Sequence, residues 1–593
     1  MRPVRLTVIC LFLTCALIQA EKREWPYSAP TRHPIPPTTV AAWPINWIDS
    51  FLMAKLDAKG IQPTIEAAPS VILRRLHFIL HGLPPSADQT TVFERAWKRN
   101  PNSAIRDKLD ELLDEVAFGE RFGRHWLDVA RYADSNGGGA NRVFDNAWRY
   151  RDYVIRSFAN DKPFDLFVRE QLAGDLLKTG HEAIVATGFL SIGPKEVAEY
   201  DKDQLDLDVT DEQLDTIGRA FMGLTIGCAR CHDHKFDPVS QSDYYAMAGI
   251  LMNTETLLRK NTGGPLSVWH KKELTEKRYA LAPRDRPDPK DMHLLIRGDR
   301  HDPGKLIKRG TPQAFGGANF EIPNNESGRR QLAKWMTDQQ HPLTGRVMVN
   351  RIWQWCMGEG IVRTVDNFGA RGDEPTHREL LDSLAVEFVE NEWSVKHLVR
   401  LILSTRTFRL ASEPPVNLGH KDPENLFLAH AHRRRLDAES LRDAILHHAG
   451  SLDRHVGGET LTWKGRLDEG QAQKVADKDV SLRRAVYQPR FRGFAREAML
   501  TAFDVPEPSL VTGKRAETLQ PAQAFVLLNS PLVKTACSRI SERWTGAELY
   551  QNLYGRRPNR AERTSDKAFL NSGGSAEDLV QSMIAANEFL YVD

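Results

Sequence analysis

Apolar residues recur along most of this chain at the spacing of an amphipathic helix. Ile105, Leu109, Leu112, Leu113 and Val116 fall on one helical face, with charged residues between them. Leu380, Leu381, Leu384 and Phe388 repeat the pattern, and Val395, Leu398, Val399 and Ile402 repeat it again. Alternating strand patterns are few and short. The spacing predicts a mainly α fold: two helical domains, 45–253 and 326–593, joined by an irregular connection at 254–325. That connection is dense in Gly, Pro, Lys and Arg, as in "NTGGPLSVW", "APRDRPDPKD" and "GGANFEIPNN", with a short strand expected at "MHLLIRGD". Residues 455–480 form a second polar interruption, and no tandem repeat of fixed period is present.

The N-terminus changes the picture. "MRPVRLTVICLFLTCALIQA" has Arg2 and Arg5, an apolar run from Leu6 to Ile18, and Ala20 before a cut. It reads as a signal peptide over 1–20, with an uncleaved anchor as the alternative; the run is short for a membrane span. A proline-rich lead-in follows over 21–44. The expectation is an exported protein, periplasmic or extracellular, with no transmembrane helix in the mature chain. The 593 residues are 41% hydrophobic and 27% charged, a globular profile. The 80 basic and 78 acidic side chains leave a net charge of +2, so nothing calls for nucleic acid as a partner.

Export leaves four cysteines, Cys228, Cys231, Cys356 and Cys537, too few for a disulfide scaffold in a chain of this size. A Cys356–Cys537 bridge is open; two buried small hydrophobes are the more ordinary outcome. The other two lie in "GCARCHDHKFDP", residues 227–238, which holds a C-x-x-C-H motif of the kind that attaches a c-type haem. Ile217, Ala220, Phe221 and Leu224 make an apolar helix face leading into it. Thr210 and Gln213 have capping-box spacing, and Gly227 is expected to end the helix. Two thiols at this spacing can reach the vinyl positions of one haem, with His232 beneath the iron as proximal ligand. Chance would produce the motif in roughly one chain of this composition in five hundred.

Two other readings stay open. Zinc would use Cys228, Cys231, His234 and a further ligand, but no second ligand pair stands at recognisable spacing. A redox disulfide between Cys228 and Cys231 would need a thioredoxin-like setting. The second axial ligand is not identified; Met247, Met252 and His125 are the candidates. His234 is expected to hydrogen-bond outside the iron's own ligands, with Asp233 or Asp237 as partner.

"RHWLDVARYADSNGGG" offers His125 and Asp134 as weak catalytic candidates beside the haem, while Arg124, Asp128 and Arg131 suggest a surface salt-bridge ladder. Arg484, Arg490, Arg492 and Arg496 alternate with Tyr487, Phe491 and Phe494. They suggest either a site for an anionic polysaccharide or a strand with arginines on its solvated face. "DQLDLDVTDEQLD" lacks the glycine of an EF-hand loop and reads as a solvated helix entry.

Several stretches resemble the planctomycete-type secreted cytochrome-like proteins, which carry a cytochrome-like module followed by a secreted module of unknown function. In the first half they include "AAWPINWIDSFLMAKLDAKGI", "FGERFGRHWLDVARYADSNG" and "FMGLTIGCARCHDHKFDPVSQSDYY". In the second they include "HPLTGRVMVNRIWQWCMGEGIV", "RRRLDAESLRDAI" and "QPAQAFVLLNSP". The resemblance runs from about residue 43 to the end. It implies a secreted protein with haem-linked, electron-transfer chemistry in a polysaccharide-degrading context, and a redox partner protein. It departs from the family at the start, where no separate small cytochrome domain follows the signal. It departs again at Ile79, where an aspartate is usual, and at Trp355 and Cys356, where histidines are common.

The expectation is therefore an exported protein with haem c held covalently on Cys228 and Cys231 and ligated at the iron by His232, an electron carrier rather than an enzyme. The alternatives are a haem oxidoreductase or glycan-modifying enzyme, and a non-catalytic glycan-binding or scaffold protein with a structural metal site.

Overall fold

The computed structural model describes residues 25–139, 141–258, 267–268, 270–272, 279–316, 321–416, 418–459, 481–494 and 497–593. The expected signal peptide and Arg496 lie outside them.

Helices make up about 52% of the chain, and the fold is mainly α. Local chemistry sets their ends. Helix Trp47–Lys59 begins at Asn46, whose side chain accepts from Ile48 N, and stops at Gly60 with φ 61°. Helix Ala87–Arg99 opens with a reciprocal capping box between Ser86 and Gln89. The periodic faces at 380–388 and 395–402 are buried sides of helices Arg378–Glu390 and Val395–Leu403. Val116 is a correction: Glu115 adopts an extended conformation between helices Pro101–Asp114 and Val116–Val129, so the face turns and Val116 is 44% exposed.

Five antiparallel two-stranded ladders are present among the described residues, and four lie within 254–307. The expected strand is there as Met292–Leu295, paired with Pro303–Ile307. The fifth ladder pairs Arg434–Arg435 with Tyr591–Val592 near the C-terminus.

One hydrophobic core gathers Leu52, Leu109 and Trp126 from the first half with Leu332, Val347 and Leu384 from the second. A smaller core packs helix Ala438–His448 against the C-terminal helices through Leu441, Ile445, Ile540 and Ile584. The halves are also joined by charge. Arg329, fully buried, reaches Asp175 at 2.7 and 3.0 Å, Asp285 at 2.5 and 2.8 Å, and the Leu172 carbonyl at 3.2 Å.

Two expected surface features are interior. Arg124 pairs with Asp128 one helical turn on, but both are buried, and Arg124 Nε also reaches Glu439 at 2.8 Å. Arg131 is buried against Glu212 and the Phe189 carbonyl. The segment 484–492 is neither a solvated strand nor an open glycan site. It forms a 3₁₀ turn, Ala485–Tyr487, whose arginines act as interior struts. Arg484 binds Glu120 at 2.5 Å and Asp443 at 3.0 Å, and Arg492 caps the carbonyls of Arg131, Ser135, Ile192 and Pro508. A buried guanidinium is tolerated where most of its N–H groups find acceptors, and a residue-level pattern does not reveal distant acceptors.

Candidate functional site

Helix Lys202–Ile217 carries the chain toward the cysteine motif. Its cap is Asp201, which accepts from Gln204 N at 3.1 Å, so Thr210 sits mid-helix rather than at the start. The helix widens into a π turn, Gly218–Met222, and ends at Gly223 with φ 59°. A Cβ at 223 would stand 2.8 Å from the Phe368 ring, so conformation and close packing both demand glycine there. Gly227, expected to end the helix, instead opens the 3₁₀ turn Gly227–Arg230 that carries Cys228.

Cys228 and Cys231 are exposed free thiols. His232 is exposed beside them, and its Nδ1 lies 2.8 Å from the Asp233 carbonyl oxygen. A carbonyl only accepts, so Nδ1 donates in this contact, and Nε2 makes no hydrogen bond to the described residues. His234 is held differently. Its Nδ1 accepts from Asp237 N at 2.8 Å and lies 3.4 Å from the Asp237 carboxylate. That carboxylate also accepts from Tyr27 Oη at 2.8 Å and Ala370 N at 2.7 Å, pinning the loop to the lead-in and to the second half. A Cβ on Gly369 would fall 2.5 Å from both Asp237 oxygens, so the clamp depends on glycine there. Asp233 anchors the far end by accepting from Gln241 N at 2.8 Å.

The donor set fits haem attachment: two unpaired thiols with the attachment spacing, and a neighbouring imidazole whose Nε2 is open. It fits a single zinc ion less well. Among the described residues no three of His, Cys, Asp and Glu converge as a metal ion needs. Haem makes no such demand, because its two vinyl positions and its iron are separate points on a wide ring. Cys356 and Cys537 are buried and unbridged, and burial pushes each thiol up to about 12.

The other expected residues are dispersed. Asp134 is buried and accepts from Tyr132 Oη at 2.6 Å and Arg490 N at 2.9 Å, a structural role. Met247 is in the core, and the Met252 sulfur accepts from Thr210 at 3.2 Å. His125 stacks on Trp355 with ring centroids 5.0 Å apart and lines a separate cavity of about 410 Å³.

That cavity is lined neither by any residue of the cysteine loop nor by Asp134. It lies where helices Val116–Val129 and Thr344–Met357 meet the segments 432–437 and 512–517. Ile79 and Trp355 both line it. Its polar walls are organised by ion pairs. Arg515 binds Asp128 at 2.6 Å and Glu439 at 2.6 Å, and Arg121 binds Asp437 at 2.5 Å. Burial opposes ionisation of Asp437, yet Arg121 wins and holds its carboxyl down at about 2. Burial and neighbouring arginines keep the His125 imidazole neutral well below its usual range, and burial takes His432 down to about 4. Sequence reasoning missed this cavity apart from His125. The signal was the run "HRRRLDAE", three arginines followed by carboxylates on a helix start.

The fold and the loop together define a class: a mainly helical chain of two segments sharing one core, with C-x-x-C-H on an exposed turn. Residues 47–256 match the PSCyt2 family model, described as a protein of unknown function (DUF1549). Residues 328–570 match the PSD1 family model, a protein of unknown function (DUF1553). These are the planctomycete cytochrome-like and secreted module families, as the resembling stretches imply. No curated protein and no solved structure matches the chain.

Proposed function

We propose that this is an exported c-type haem protein that carries electrons, with Cys228 and Cys231 as thioether attachment points and His232 Nε2 as the iron ligand. The observation that carries the reading is the His232 hydrogen bond to the Asp233 carbonyl, which orients the imidazole and leaves Nε2 free beside two free thiols. Bound haem supplies a one-electron iron couple. The chain's own contribution is to fix the loop through Asp237, Asp233 and Gly369, and to keep the motif at the surface, where a redox partner protein can approach. No described helix is long and apolar enough to cross a membrane. Extracellular polysaccharide breakdown is the proposed setting.

Protein expressed with a haem-maturation system should keep haem on the denatured chain and give a c-type pyridine haemochrome spectrum. Cys228→Ala with Cys231→Ala should abolish the stain. Stoichiometric zinc without a Soret band would refute the proposal.

The two histidines should separate cleanly. His232→Ala should retain covalent haem with a shifted Soret band. His234→Ala should leave iron ligation intact, because the His234 ring is committed to Asp237. Equal spectral loss in both would mean that the two imidazoles bind metal together.

A further inference from the structure

The cavity beside His125 has an unusual charge arrangement. Five of its cations are matched to carboxylates. Arg121 meets Asp437, Arg515 meets Asp128 and Glu439, Lys514 meets Glu359, Arg435 meets Asp504, and Arg433 meets Asp593. Arg434 is the exception. Its guanidinium donates to the carbonyls of Trp355 and Cys356, both at 3.0 Å, and among the described residues it forms no ion pair. Burial brings it down to about 10, so it stays charged at neutral pH. Glu517 also lines the cavity and acts on Arg434 through space without touching it; burial pushes that carboxyl upward, which weakens it as a counter-ion.

A partly buried cation hydrogen-bonded only to carbonyls favours an incoming anion, since charge-assisted hydrogen bonds are roughly twice as strong as neutral ones. Hydrogen-bonding capacity is also left over around it. Gln354, 8% exposed, lines the cavity, and its Oε1, a buried acceptor without a partner, can take a hydroxyl of the ligand's body but not its oxyanion. His125 and His432 are neutral, so each can give or take a hydrogen bond without adding charge. At about 410 Å³ the space suits a molecule of sugar-ring size.

We propose that this cavity binds a small molecule bearing one oxyanion, carboxylate or sulfate, on a body about the size of a sugar ring, with Arg434 as the anion contact and Gln354 as its neutral hydrogen-bonding neighbour. The site is independent of the cysteine loop, so it stands whether or not haem is carried.

The test is calorimetric titration of the full chain with glucuronate, glucose 6-sulfate, inorganic sulfate and glucose. Glucuronate or the sugar sulfate should bind with a dissociation constant below about 1 mM. Glucose should not bind, and affinity should fall as salt is raised. Binding of the carboxylate sugar alone, or of the sulfate sugar alone, identifies which oxyanion the site takes. Arg434→Gln should weaken binding at least tenfold, with Arg434→Lys intermediate. Because Arg434 also supports two carbonyls, Gln354→Leu provides a second variant, expected to weaken binding several-fold while melting close to the parent. Equal binding of glucose and glucuronate, no binding of either acidic sugar, or binding of inorganic sulfate alone would overturn the proposal. So would full affinity in both variants.

Discussion

Arg329→Met should destabilise the protein by about 3–5 kcal/mol, the cost of breaking a buried pair and leaving its partners charged. The side chain is fully buried, and the Asp175 carboxylate is only 3% exposed. Burial opposes the Arg329 charge, but Asp175 and Asp285 together hold its pKa above the ordinary value. Removing the guanidinium strands two carboxylates and the Leu172 carbonyl at once. The three anchored segments are the turn after helix Phe164–Ala173 in the first half, the strand-bearing connection and the first helix of the second half, so loss of the arginine should loosen the whole junction. Thermal melts give the first readout. Adding Asp175→Asn and Asp285→Asn to Arg329→Met should recover part of the loss, because the repulsion and the unpaired charge go with them. If Arg329→Met melts with the parent, the network does not hold the halves together.

That junction also shows which parts of the structure the sequence makes legible. The helices at 378–390 and 395–403 announce themselves through apolar periodicity, and the strand at 292–295 through a short apolar run between polar stretches. The C-x-x-C-H motif is local, so its residues arrive side by side. Interior charge is not local. Arg329 meets Asp175 across 154 positions, and Arg484 meets Glu120 across 364, so a single sequence displays the charges without their partners. The ordinary expectation for charged side chains is the surface, and here it fails at Arg124, Arg131, Arg484 and Arg492. The cavity escapes notice for the same reason: its walls come from segments more than 500 residues apart. Gly223 and Gly227 differ through an equally non-local cause. Both could end a helix, but only Gly223 has Phe368 packed against its backbone.

The second large effect is acid sensitivity, and it should appear between pH 6.5 and 5. Five well-buried histidines have pKa values lowered chiefly by desolvation: His77, His81, His341, His377 and His448. His81 falls to about 4, and His341 and His377 to about 3. The hydrogen bonds agree at His341, whose Nδ1 accepts from Thr344 N at 3.2 Å and therefore carries no proton, while its Nε2 has no partner. Near His77 the cost of protonation is compounded, because the Lys108 cation acts on it and His81 would repel a second imidazolium. A histidine whose folded pKa is depressed binds more protons unfolded than folded. Its contribution is complete above the unfolded value near 6.5 and is lost as pH falls toward the folded value. Each such group removes roughly 1.4 kcal/mol per pH unit in that window. Five acting together remove several kcal/mol by pH 5.5, comparable with the whole stability of many domains. The carboxylates divide: Asp437, held down at about 2, gives up its contribution only below pH 4, whereas Asp134 and Asp443, raised by burial, act in the opposite sense as pH falls. Melting temperature should therefore fall steeply from pH 7 to 5 and acid unfolding should be accompanied by proton uptake, measurable by potentiometric titration. A melting temperature that stays flat from pH 7.5 to 5.5 would mean that these imidazoles are solvated in the folded protein.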